Sequence, residues 1–259
     1  MPTIRAAVIL AVFLLVTVIL IPVQWLGVVL GLPYIRILPH AYHRFVARLF
    51  GIRIRALGAV PRGRGLLIVA NHTSWLDIVV FSALLPLSFI AKTEVGQWPF
   101  FGTLARLQRT VFVARAQRSQ TGVARDVIRE RLLVGDTLVL FAEGTSSDGN
   151  RVLPFKSALL GAAQAQLEGG RHVLVQPVSA AYTAVHGIPM GRENRPFFAW
   201  YGDMELVPHL WEALKAGPLD VVVQFHSPLS LDTMDRKLLA QTAETAVRDG
   251  HVRALAGLV

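Results

Sequence analysis

The sequence predicts an α/β protein: a mixed, largely parallel sheet flanked by helices, with an N-terminal membrane-anchoring helical segment. Three observations lead there. From about residue 51 onward, short apolar runs alternate with helical patterns. Several of those runs are continuous and stop abruptly in polar residues, as strands buried on both faces of a parallel sheet do. Ahead of them, the thirty residues between Arg5 and Arg36 carry no charge at all.

That uncharged run is long enough for a bilayer, whose hydrocarbon core takes about 20 helical residues. It exceeds a signal-peptide core, and no small-x-small site closes it, so cleavage is not expected. Pro22 and Gly27 to Gly31 interrupt it. Two topologies therefore stay open, one spanning helix or two short helices that dip into one leaflet. Arg36, Arg44, Arg48, Arg53, Arg55, Arg62 and Arg64 follow with no acid before Asp77. Such a flank favours the cytoplasmic side and anionic headgroups. His40 and His43 lie within it, have no further metal ligand nearby, and are expected at the headgroups.

The remainder reads as strands at 51–57, 65–71, 87–91, 110–114, 137–142, 172–178, 196–201 and 220–226. Helices fit at 77–85, 119–134, 156–167, 205–215 and 234–255. GIRIRAL at 51–57 alternates strictly, as a half-exposed strand does, whereas GLLIVAN at 65–71 reads as a buried one. No Gly/Ser linker divides the chain. The expected organisation is an anchor and basic segment over 1–50 and one catalytic domain over 51–259.

Composition excludes several classes. With 53% apolar and 17% charged residues, the chain has too little charge for disorder. The absence of cysteine removes disulfides, zinc ribbons, iron–sulfur clusters and a cysteine acyl-enzyme. The net charge of +9 suggests nucleic acid, but its excess abuts the apolar run rather than covering a soluble face. Neither a phosphate-binding G-x4-G-K-[ST] loop nor a zinc-binding H-E-x-x-H occurs. No metal site and no cofactor are expected.

Chemistry is expected where buried strands end, because open α/β sheets bind ligands at the carboxyl ends of their strands. Asn71-His72-Thr73-Ser74-Trp75-Leu76-Asp77 directly follows one such strand. His72, five residues before Asp77 across a strand-to-helix turn, can receive the carboxylate on one ring nitrogen and take a proton on the other. The plain alternative makes His72 a turn cap and Asp77 a first-turn helix acid. A second segment, Phe141-Ala142-Glu143-Gly144-Thr145-Ser146-Ser147-Asp148-Gly149-Asn150-Arg151, also follows an apolar strand. Its glycines permit close approach, and its N–H groups and hydroxyls could hold an anion or an acyl oxygen. An ordinary polar turn is the alternative there.

Asn71-His72-x4-Asp77, followed some seventy residues later by Phe-x-Glu-Gly-Thr, resembles the glycerolipid acyltransferase family. Val111-Phe112-Val113-Ala114-Arg115 resembles its second block and Val175-Gln176-Pro177-Val178 its fourth. Leu153-Pro154-Phe155-Lys156 resembles the stretch after the Glu-Gly-Thr block, and together the blocks cover most of 65–180. The resemblance implies transfer of a fatty acyl group from an acyl thioester, on acyl-carrier protein or coenzyme A, to a lysolipid hydroxyl. His72 would deprotonate that hydroxyl and Asp77 would orient His72. Asn71, Arg115, Glu143, Gly144, Thr145 and Ser146 are the implied substrate-binding residues.

Two positions depart from the family's Phe-Pro-Glu-Gly-Thr-Arg-Ser form: Ala142 replaces proline and Ser146 replaces arginine. The second change matters chemically, because a planar guanidinium suits a phosphate. Either Arg151 or Lys156 supplies the missing charge, or the acceptor carries no phosphate. Thr-Ser-Ser-Asp-Gly-Asn-Arg at 145–151, Ala-Lys-Thr-Glu-Val at 91–95 and His-Gly-Ile-Pro-Met-Gly-Arg at 186–192 resemble the bacterial branch that includes lyso-ornithine lipid O-acyltransferases. The implied acceptor is therefore lysophosphatidic acid or lyso-ornithine lipid, and the implied location is the bacterial inner membrane. Two other classes remain as alternatives. One is a lipid hydrolase with Ser146 as nucleophile, although the spacing does not fit a G-x-S-x-G elbow. The other is a non-catalytic lipid-binding surface.

Overall fold

The computed structural model describes residues 1–60, 65–114, 118–164, 170 and 172–259. The helices are α1 (Pro2–Leu30), α2 (Ile37–Phe50), α3 (Leu76–Leu84), α4 (Phe101–Leu107), α5 (Arg118–Leu133), α6 (Leu206–Ala216) and α7 (Arg236–Leu255). The strands are β1 (Ile52–Leu57), β2 (Leu66–Ala70), β3 (Ser88–Lys92), β4 (Val111–Val113), β5 (Thr137–Phe141), β6 (Leu174–Val185), β7 (Ile188–Pro189) and β8 (Leu219–Phe225).

The strands form one sheet in the order β1-β8-β6-β2-β5-β3-β4, with β7 paired to β6. All pairings are parallel except β6 with β7 and with β8. β2 lies at the centre, and every residue of its Leu-Leu-Ile-Val-Ala run is buried. Its neighbours hydrogen-bond it on both edges and helices cover both faces, which is why it shows no polar alternation. On one face Ile68 and Ala70 join a core with residues of α1, α2, α3 and α6. On the other, Leu67 and Val69 pack with α5, α7 and the 3-10 turn Ser157–Gln164.

α1 is continuous through Pro22, so the chain does not turn back where the apolar run is first interrupted. The turn comes instead at Gly31, whose φ of 64° is the left-handed geometry a helix C-terminus favours in glycine. Leu32 N–H then bonds back to Gly27 O at 2.9 Å, and α2 follows. α1 packs by one stripe only, through Ala6, Ile9, Phe13, Thr17, Gln24 and Gly27. Leu15, Val18, Ile19, Trp25, Leu26 and Val29 face outward and are exposed. At about 1.5–3 kcal/mol per buried apolar side chain, hydrating that face forfeits on the order of 10–20 kcal/mol. The face is built for hydrocarbon, and it marks the protein for membrane association.

Several sequence expectations change. PFFAWY at 196–201 is not a strand: Arg195–Phe197 is a 3-10 turn, and Phe198 and Ala199 are buried by packing rather than pairing. The helix expected from 156 is the 3-10 segment Ser157–Gln164, its expected end at 165–167 lying outside the described residues. α2 and α4 were not anticipated. β6 runs to Val185, seven residues beyond its expected end. His40 and His43 each spend Nδ1 within the protein, on Ser82 O and Pro39 O, both at 2.7 Å.

Replacing Leu15, Ile19 and Leu26 together by Gln leaves the packed stripe intact. Flotation with lipid vesicles is expected to show the variant largely in the soluble fraction. Its unfolding midpoint in detergent should match that of the parent.

Candidate active site

Pairing of β2 with β5 sets the site, because the register places Ala70 beside Phe141. The two segments that leave these strands, about seventy residues apart in sequence, therefore emerge side by side at the carboxyl end of the sheet. Backbone bonds tie them together. Ala142 N–H donates to Ala70 O at 3.3 Å and Ser147 N–H to His72 O at 2.9 Å.

At the turn into α3, Asp77 is 1% exposed and accepts four hydrogen bonds. Its Oδ2 takes the backbone N–H groups of Thr73 and Ser74, at 2.8 and 3.0 Å, together with His72 Nδ1 at 2.8 Å. Its Oδ1 takes the Tyr182 hydroxyl at 2.5 Å. A carboxylate so surrounded acts only as acceptor, so the proton between it and His72 sits on Nδ1. Nε2 keeps its lone pair and has no partner among the described residues. The imidazole stacks on the Phe141 ring at 4.0 Å and 13°, which fixes its plane. A general base needs this state: oriented, with one free basic nitrogen.

The other residues singled out from sequence take different positions. Asn71 turns inward, donating to Ala180 O and accepting from Ala180 N–H, both at 2.9 Å. It joins the catalytic turn to β6, and both its polar atoms are spent. Glu143 is likewise inward, its Oε1 on His72 N–H at 3.0 Å and Oε2 on Leu153 N–H at 3.2 Å. Burial pushes its carboxyl up to about 8, against the opposing pull of those two N–H groups. Gly144 adopts φ 72°, which a side chain would resist, and Thr145 is exposed at the turn's tip. The Ser146 hydroxyl donates to Trp200 O at 2.5 Å. That bond aims it at a carbonyl and not at His72, so the hydrolase constellation does not form. Arg115 lies outside the described residues. Arg151 and Lys156 are exposed.

Sequence reasoning missed Tyr182, Phe141 as the platform for His72, and Arg195. Tyr182 lies on the unanticipated part of β6, where Ala180 and Tyr182 face the core shared with α3 before a register shift interrupts the alternation. Burial and then the Asp77 charge hold its hydroxyl well above its ordinary value, so it stays a donor. Arg195, in the loop after β7, donates to Asn150 Oδ1 at 3.3 Å. The same loop returns through Trp200 N–H to Thr73 O at 2.9 Å.

Next to the site is an apolar cavity of ≈ 230 Å³ between α1, α2, α3, α4 and β3. Phe13, Ile21, Val46, Trp75, Phe89 and Leu104 line parts of it. The ring ladder connects it to the base, since Phe89 stacks on Phe141 at 6.1 Å and 17°. Its wall includes Tyr42, raised to about 12 mainly by burial, and His43, lowered to about 4 for the same reason. Both are therefore neutral.

Fold and site together define an α/β enzyme with an oriented imidazole base beside an apolar cavity. The Acyltransferase family model matches residues 51–181, and the chain belongs to that family. It is 52% identical over 258 residues to a lyso-ornithine lipid O-acyltransferase of Brucella abortus, covering 98% of this chain and 97% of that one. It is 34% identical to a 1-acyl-sn-glycerol-3-phosphate acyltransferase of Neisseria gonorrhoeae, over 71% of this chain and 68% of that one. The crystal structure of the 1-acyl-sn-glycerophosphate acyltransferase of Thermotoga maritima shares the fold, with a TM-score of 0.68 at 23% identity. That match covers 98% of this chain and 97% of the other.

Two outcomes follow. Tyr182→Phe removes the donor to Asp77 Oδ1 and is expected to cost about 1.5–3 kcal/mol of stability in denaturant titration, with slower turnover. The second concerns pH. Between 4.5 and about 8, native Glu143 binds a proton that the unfolded chain has released, so its contribution to stability falls as pH rises through that window. His43 and His251, both lowered from 6.5 to about 4 chiefly by burial, act oppositely and only below 6.5. Denaturation midpoints should therefore decline from about pH 6.5 to 8, and Glu143→Gln should flatten that decline.

Proposed function

We propose that this enzyme esterifies the hydroxyl of lyso-ornithine lipid with a fatty acyl group taken from an acyl thioester on acyl-carrier protein or coenzyme A. The carrying observation is the whole-length relationship to the Brucella enzyme, joined to a His72 imidazole whose basic nitrogen is free. His72 Nε2 takes the proton of the acceptor hydroxyl as its oxygen attacks the thioester carbonyl. The tetrahedral intermediate then collapses with cleavage of the C–S bond. The imidazolium returns its proton to the departing sulfur, leaving an ester and a free thiol. Asp77 holds the imidazole throughout and balances its transient charge.

Other roles follow from placement. Asn71 and Glu143 shape the two loops rather than touch substrate. Thr145 and, by resemblance, Arg115 meet the polar end of the acceptor with the Gly144 turn. The ≈ 230 Å³ cavity receives a hydrocarbon chain. Residues 1–50 form the anchoring segment and 51–259 the acyltransferase domain. α1 lies in one leaflet along its exposed face, and the arginine-rich flank assigns the domain to the cytoplasmic side of a bacterial inner membrane.

Ser146 supports the ornithine-bearing acceptor over a phosphate-bearing one. A guanidinium at that position would suit a phosphate, whereas this hydroxyl is spent on Trp200 O. The relatives at 52% and 46% identity are both lyso-ornithine lipid O-acyltransferases.

Membranes containing the protein, given a labelled acyl thioester, should acylate lyso-ornithine lipid faster than lysophosphatidic acid, with His72→Ala as blank. Equal or greater use of lysophosphatidic acid would overturn the acceptor assignment. Activity that survived in His72→Ala would overturn the mechanism.

A further inference from the structure

At the opposite end of the sheet from His72, one carboxylate collects three guanidinium groups. Asp136 is 6% exposed and lies between α5 and the first residue of β5. Its Oδ1 faces Arg36 Nε at 3.1 Å, while its Oδ2 accepts from Arg109 Nη2 at 3.1 Å and from Arg131 Nε. Each of the three Arg131 nitrogens has a partner, with Nη1 on Arg109 O and Nη2 on Ser88 Oγ, both at 3.0 Å. Arg36 and Arg109 each use a single nitrogen on Asp136, and their other nitrogens have no acceptor among the described residues. Three positive charges thus share one negative charge. The imbalance is felt locally: burial first, then repulsion from Arg131, lowers the pKa of Arg109.

The free guanidinium donors border a cavity of ≈ 120 Å³ that also meets Ser88, Gln108 and Thr137. Ile35, Pro39, Pro86 and Leu87 supply apolar lining. Beside the lining residues in the chain, Ile37 next to Arg36 is 60% exposed and Val134 next to Gly135 is 57% exposed. The lipid-facing end of α1 is fastened beside it, because Gln24 Nε2 donates to Ile35 O at 3.0 Å and Leu107 O at 2.9 Å. A cationic recess with an apolar rim fits an amphiphile better than a free ion.

We propose that Arg36 and Arg109 bind the phosphate of an anionic membrane lipid, whose tails lie along the exposed end of α1. The planar forks can each engage two phosphate oxygens, and the phosphate charge offsets the excess around Asp136. The site is separate from the catalytic centre, lying where β3 and β5 begin rather than where β2 and β5 end. It rests on membrane association alone and not on the acyl-transfer chemistry.

The test is thermal unfolding of the full chain in neutral detergent, titrated with dihexanoyl phosphatidylglycerol, dihexanoyl phosphatidylcholine or inorganic phosphate at matched ionic strength. A ligand that binds only the native state raises the midpoint. Phosphatidylglycerol is expected to raise it saturably, well beyond the other two. Arg36→Gln and Arg109→Gln should each lose most of that shift. Lys237→Gln, an equal charge loss on α7, should keep it. Arg36 is half-exposed, so its variant decides the matter if Arg109→Gln fails to fold. No shift in the parent, or a full shift in Arg36→Gln, would overturn the site. An equal shift with inorganic phosphate would overturn its assignment to a lipid.

Discussion

The Asp77 carboxylate is the point on which the catalytic turn, α3 and β6 all close. A buried charge costs several kcal/mol unless its oxygens are satisfied, and here four donors satisfy them. Two are backbone N–H groups of the turn, so the turn's shape is set by the charge it encloses. One is Tyr182 from β6, so the turn is also set relative to the sheet. The last is His72, which is thereby oriented with Nε2 outward. Asn71 on Ala180 and Glu143 on His72 N–H add independent fastenings to the same few residues. The site is rigid because it is built from strand ends and buried polar pairs, not from loop contacts alone.

Membrane attachment and chemistry share parts of the structure. One stripe of α1 seals the core, the rest is apolar and exposed, and Phe13 on the packed stripe also lines the apolar cavity. Phe141 and Phe89 carry that apolar surface to the His72 ring. Apolar surface is therefore continuous from the cavity to the base. Holding two lipid-borne reactants in one orientation is itself a large part of rate acceleration.

Much of this was legible in the sequence, and the reasons for what was not are physical. Apolar runs ending in Asn71-His72 and in Ala142-Glu143 announced buried strands with polar loops at their ends. The pairing that joins them depends on long-range register, which periodicity does not carry. Tyr182 was hidden because Pro177 suggests a strand end, whereas β6 runs on and pairs with β8 through a shift at Tyr182 and Ala184. α2 was hidden because its arginines dominate the reading while its buried stripe is only Val46, Ala47 and Phe50. PFFAWY has high strand propensity, but burial of Phe198 and Ala199 in an irregular loop outweighs it. Residue types proved easier to read than direction: Asn71, Glu143 and Ser146 occupy the expected loops, yet their side chains turn to the backbone.

The central claim is that Asp77 fixes the tautomer and orientation of His72. Its most direct test is saturating turnover of Asp77→Asn, whose side chain is nearly isosteric but can present an N–H where His72 needs an acceptor. Turnover is expected to fall by about 10²–10⁴-fold with little change in KM, because substrate contacts are untouched. Turnover within a few-fold of the parent would contradict the account, since the histidine would then act without the carboxylate around which its turn is built.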